Sequence, residues 1–143
     1  MSETAPRDKR AQIQTSTEAL NASDFEALAD VFHPELEHHS VFAAVEGEVY
    51  HGIEGQRRRW KNVNATWDDF SVAVAEVHDV NDERAVVVLR LAGKAKVSGI
   101  PLDTLLGQVW TWRDGKVRRI VSYTEPRDAL EAVGLPVDAH TSS

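Results

Sequence analysis

The spacing of apolar positions changes once along the 143-residue chain. In the first half, apolar residues recur at three and four, the spacing of one helix face. From Asp8 to Asn21, the residues Ile13, Thr17 and Leu20 share a face. Asn21-Ala22-Ser23-Asp24 breaks that pattern. Ser23 or Asp24 is placed to cap a second helix with the stripe Phe25, Leu28, Ala29 and Phe32. Pro34 disfavours helical geometry at His33, so this helix should end there. Leu36 to Phe42 reads as a strand and Gly47 to Tyr50 as a shorter one. His51-Gly52-Ile53-Glu54-Gly55 turns into a third helix, where Ile53, Gln56, Trp60, Val63 and Trp67 form an amphipathic face.

After Trp67 the period becomes two. Asp68 to Val80, Arg84 to Val97, Leu102 to Arg113 and Lys116 to Glu125 read as long strands. Asp114-Gly115, between alternating apolar runs, signals a hairpin. Pro126 stops the last strand, and Asp128 to Val133 forms a short helix ended by Gly134. Helices first and an antiparallel meander after them predict an α+β domain over residues 8–135, with flexible termini at 1–7 and 136–143. Helices on one face of a curved sheet leave a cone-shaped cavity where they cannot fill it. Strand alternation sends every second side chain into that cavity.

Composition narrows the function classes. Hydrophobic residues make up 42%, enough for one core, and no apolar run reaches the length of a membrane span. MSETAPRDKRAQ carries no secretion signal, so a cytoplasmic location is expected. The absence of cysteine excludes disulfides, thiolate zinc sites and cysteine nucleophiles. The net charge of −7 opposes phosphate binding, so nucleic acid is not an expected partner, and without an apolar span neither is a membrane. Arg57-Arg58-Arg59 with Lys61 fans around most of a helix and reads as a solvated face. No GxSxG, P-loop or Rossmann fingerprint occurs.

Candidate chemistry gathers in FHPELEHHSVF, which holds His33, His38 and His39. Alternation puts Leu36, His38, Ser40 and Phe42 on one side of the strand and Glu37, His39 and Val41 on the other. His38 is therefore expected inward and His39 outward, and the two cannot share a metal. A metal would need further ligands such as His51 or Glu125, and no HExxH spacing is present, so no metal is expected. Leu106, Gln108, Trp110 and Trp112 alternate on one face. With Trp60, Trp67, Phe42 and Phe32 they either line an aromatic cavity or fill the core. A buried Gln108 must find partners, since an unpaired amide costs about 1–3 kcal/mol. Arg90 interrupts the apolar run VVVLRLAG. It either enters the pocket with a partner such as Glu125, or lies on the solvent side of the sheet or pairs with Glu76. In the last strand Val117, Arg119, Val121, Tyr123 and Glu125 share one face, and Ile120, Ser122 and Thr124 the other.

Three stretches, LNASDFEALADVFHPELEH, YHGIEGQRRRW and GQVWTWRDGKVRRIVSYTEPRDALEAVGL, resemble the SnoaL-like branch of the NTF2-like superfamily. The likeness covers roughly residues 10–135. It implies an NTF2-like cone whose pocket takes a small hydrophobic molecule without a cofactor. It also implies a homodimer, formed through the open face of the sheet by outward β-branched positions of strands 84–97 and 102–113. The superfamily hosts isomerases, polyketide cyclases, epoxide hydrolases, dehydratases and proteins without catalysis, so the fold does not name the reaction. The two readings are a cofactor-independent acid/base enzyme and a non-catalytic ligand-binding or accessory protein.

The resemblance also suggests residues. Matching the ketosteroid isomerases places His38 at the general base, and an imidazole of pKa about 6.5 can serve near neutrality. Ser16 stands where those isomerases have a tyrosine and Gln108 where they have a neutral acid, which speaks against steroid isomerisation. The epoxide hydrolase pattern sets an arginine between carboxylates, but Arg90 has Val88 and Ala92 as same-face neighbours. SnoaL-type cyclases carry an acid near the end of the last strand, a place comparable to Glu125. Alignment to the isomerases turns the Ser122 face to the cavity and leaves Glu125 outside or at its rim. The candidate catalytic residues are thus His38, Gln108 and Glu125. The candidate substrate contacts are Ser16, Phe42, Trp60, Arg90, Trp110 and Ser122.

Overall fold

The computed structural model describes residues 9–40 and 49–136. Its elements are α1 (Lys9–Asn21), α2 (Phe25–Leu28), β1 (Phe32–His39), β2 (Val49–His51), α3 (Gly52–Thr66), β3 (Trp67–Asn81), β4 (Arg84–Ala95), β5 (Pro101–Arg113), β6 (Lys116–Tyr123) and α4 (Pro126–Ala132). The six strands form one curved sheet in the order β2-β1-β6-β5-β4-β3. All neighbours are antiparallel except β1 and β6, which run parallel. This is the expected α+β architecture.

Alternation along the strands builds the inner core. Ala85, Val87, Leu89 and Leu91 of β4 and Leu106, Trp110 and Trp112 of β5 pack with Ile13 and Leu20 of α1 and Leu28 of α2. Polar clasps fix α1 over the sheet. The Asn21 amide donates to the Val72 carbonyl at 2.8 Å and its oxygen accepts from the Val72 N–H at 3.0 Å. Trp112 Nε1 donates to Gln12 Oε1 at 2.7 Å. The β5–β6 hairpin turns on Asp114 and Gly115, at φ of 55° and 82°. Two left-handed residues in succession match the twist of antiparallel strands.

Three elements differ from the sequence expectation. The second helix is a single turn, Phe25–Leu28, and Phe32 already belongs to β1 rather than to a helical stripe. Pro34 lies inside β1, where it cannot donate to the ladder. There the register with β6 slips, from Phe32 opposite Val117 to Glu37 opposite Arg119. Trp67 opens β3 instead of closing the face of α3.

The outer face of the sheet is partly covered. Ala129 and Leu130 of α4 pack on Val86 and Val109. Those β-branched positions, assigned by sequence to a dimer contact, are buried within the chain. No helix among the described residues is long and apolar enough to cross a membrane.

Candidate functional site

A cavity opens between α1, α3 and the inner face of the sheet. Its enclosed volume is about 40 Å³, room for a few water molecules. The walls are mainly apolar, with Leu20, Phe32, Val63, Phe70, Leu89 and Ile120 among them. Six polar side chains also line it: Ser16, Thr17, His38, Gln56, Arg59 and Gln108.

Register explains how the strands deliver their part. His38 of β1 lies beside Ile120 of β6, which lies beside Trp110 of β5. The three form one row across the sheet and all line the cavity. His38 is 2% exposed, while His39 points the other way, half-buried beside Glu37 at 3.5 Å. One step along, Gln108 faces Ser122 and donates to its hydroxyl at 3.1 Å. Trp110 Nε1 donates to Gln108 Oε1 at 2.7 Å. The buried amide therefore finds its partners on the sheet. From α1, Ser16 and Thr17 both donate to the Ile13 carbonyl, at 2.9 and 2.8 Å.

The third helix supplies the electrostatics. Gln56 and Arg59, three apart, share one face. Arg59 Nη2 and Nε donate to Gln56 Oε1 at 3.1 and 3.4 Å, and Gln56 Nε2 meets His38 Nδ1 at 3.1 Å. A guanidinium has donors only, so Gln56 must turn its oxygen toward Arg59 and its NH₂ toward His38. Nδ1 of His38 then accepts, and the ring proton sits on Nε2. Among the described residues the ring of His38 is bonded through Nδ1 alone, and His38 lines the cavity. What the pocket receives from His38 is an N–H donor. The base role expected of it does not fit this tautomer.

Charge states agree with that geometry. Burial drives the His38 pKa well below the usual imidazole range, with the nearby Arg59 and His39 charges adding to the effect. Burial also pushes the Arg59 pKa down to about 10, partly opposed by Tyr50, which leaves Arg59 a cation at neutral pH. No carboxylate lines the cavity among the described residues.

The other sequence candidates separate. Ser16 and Trp110 are in the wall, and Ser122 supports it through Gln108. Trp60 is not in the wall. It is buried and packs edge-on against Phe70, with ring centroids 5.5 Å apart. Arg90 is exposed on the outer face and forms a two-pronged pair with Asp103 at 2.8 and 3.0 Å, so it is neither a pocket residue nor a partner of Glu76. Glu76 instead meets His78 at 2.7 Å. Glu125 is exposed at the start of α4, away from the cavity, because the Ser122 face of β6 is the inner one. Phe42 lies outside the described residues. Gln56 and Arg59 were missed as site residues. The signal was present, since Arg59 stands three after Gln56 and four before Val63, on the buried stripe of α3. Its neighbours hid it: Arg57 sits over the Phe25 ring and Arg58 over the Tyr50 ring.

Comparison with known proteins gives a consistent picture. The sequence model of the SnoaL-like domain matches residues 13–120. No curated protein matches the sequence. A hypothetical protein with a ketosteroid isomerase-like fold from Catenulispora acidiphila, solved with trimethylamine, superposes with a TM-score of 0.68 at 15% identity, over 90% of this chain and 96% of that one. IdmH, a candidate polyketide cyclase from Streptomyces antibioticus, gives 0.68 at 18% identity, over 87% and 97%. TerC, co-crystallised with polyporic acid, gives 0.68 at 20% identity, over 86% and 95%. At these identities the structures establish a shared NTF2-like fold. The sequence match, spanning most of the chain, goes further: this protein belongs to the SnoaL-like domain family.

Proposed function

We propose that this chain binds a small, mostly hydrophobic molecule in the α1–α3 pocket and acts on it without a cofactor, by proton-transfer chemistry of the isomerase, cyclase or hydrolase type. The observation that supports this is the donor chain from Arg59 through Gln56 to His38, which ends on the cavity. An N–H already held in place needs no reorganisation when negative charge develops on a substrate oxygen. His38 Nε2–H would polarise a carbonyl or epoxide oxygen, and the free N–H of Gln108 would add a second bond. Stabilising the enolate or alkoxide promotes loss of a proton from the neighbouring carbon, ring closure onto it, or attack by water. The proton passes to water or to a basic group of the substrate, since no lining carboxylate takes it among the described residues. Fold relatives named for a polyketide cyclase and for a polyporic acid complex support a small organic ligand.

That missing carboxylate also favours a second reading, a non-catalytic ligand-binding or accessory protein with the same pocket. Turnover decides between them. Wild type, His38→Ala and Gln108→Ala are assayed on ketones, epoxides and polyketide-like substrates. The enzyme reading expects each variant to lose about 10²–10³-fold in turnover while still binding ligand. Ligand binding without turnover by wild type across the panel leaves the binder.

A further inference from the structure

Resting on that pocket reading, we infer that the ligand is an anion: an apolar molecule bearing one carboxylate or acidic enol, whose charged oxygen is held by Arg59 and His38. Arg59 carries the inference. It is a half-buried cation in a mainly apolar wall, and among the described residues no carboxylate pairs with it. Its bonded partner, Gln56 Oε1, is neutral. A charge removed from water without a counter-charge is costly, and proteins keep such a group where something completes it.

The remaining polar groups face the cavity with donors too. Gln56 Oε1 is taken by two Arg59 nitrogens, His38 Nδ1 by Gln56, and Gln108 Oε1 by Trp110. Ser16 and Thr17 spend their protons on Ile13. What stays unspent is Arg59 Nη1, His38 Nε2–H and one N–H each of Gln56 and Gln108. A neutral ketone can accept from one or two of these but leaves the guanidinium uncompensated. An anionic oxygen accepts from several and cancels the charge, and charge-assisted bonds are about twice as strong as neutral ones. A carboxylate head also suits the space, because it replaces the few waters that about 40 Å³ can hold.

The test uses benzoate and its neutral isostere benzamide, followed by amide and side-chain NMR shifts at neutral pH. Benzoate is expected to bind at least ten-fold more tightly, with shifts at the Arg59 Nε–H and Trp110 Nε1–H signals. Arg59→Gln, which keeps an amide donor for Gln56 but no charge, should erase the preference. Arg59→Lys should keep part of it. Equal affinity of wild type for the two molecules, or a preference that survives in Arg59→Gln, overturns the inference and leaves the pocket standing. No shift at any lining residue with either molecule overturns the pocket reading as well. Should Arg59→Gln fail to fold, the wild-type ratio alone still decides.

Discussion

At the scale of single residues, His38 ties the site to stability. Its folded pKa lies well below 6.5 through burial first and the Arg59 and His39 charges second, while the unfolded chain has an ordinary imidazole. Below about pH 6.5 the unfolded state therefore takes up a proton that the folded state refuses. The stability tied to neutral His38 is complete above that pH and is lost as pH falls toward the folded value. The largest slope is one proton, about 1.4 kcal/mol per pH unit. Urea unfolding at pH 7, 6 and 5 checks this: wild type should lose stability faster than His38→Gln by roughly that slope. Parallel curves would refute it. The inward side of His38 was legible in the sequence because strand parity decides it. Its tautomer was not, because that depends on Gln56 and Arg59, eighteen and twenty-one residues away in sequence. A run of three arginines reads as a solvated face until each is assigned its own direction on the helix.

At the scale of elements, the long strands were legible and the short ones were not. Strands β3 to β6 fall within two residues of their expected ends because alternation over eight or more positions has no competing period. Phe25, Leu28 and Phe32 do fit a helical stripe. Tertiary pairing of Phe32 with Val117 wins over that local pattern and starts β1 early. The close seat of α4 was also hidden, since it depends on a glycine. A Cβ built at Gly107 would lie 2.8 Å from the Pro126 Cα and 3.0 Å from the Ala129 Cβ. The first is backbone and cannot rotate away. Gly107→Ala should push α4 off the sheet and cost about 1–3 kcal/mol, read as a lower urea midpoint. An unchanged midpoint would mean that α4 yields freely and that its packing on Val86 and Val109 contributes little.

At the scale of the whole molecule, global and local charge disagree, and salt can separate them. The chain carries 23 acidic and 16 basic residues, a net −7, yet the one charged side chain in the cavity wall is Arg59 among the described residues. An approaching anion meets repulsion at long range and attraction only inside. The screening length is about 30 Å at 0.01 M salt and about 8 Å at 0.15 M. At low salt the repulsion thus reaches beyond the molecule, whereas a partly buried contact with Arg59 is screened much less at either concentration. Raising salt from 0.01 to 0.15 M should improve benzoate affinity, through faster association at the same dissociation rate. The exposed side of α3 offers a rival place, where Arg57, Arg58 and Lys61 stand in solvent and Arg57 already meets Glu54 at 3.2 Å. Binding there would be an exposed ion pair and would weaken several-fold over the same salt range. A titration at the two salt concentrations therefore places the anion inside the cone or on its surface, and weakening with salt would move the site to the outer face of α3.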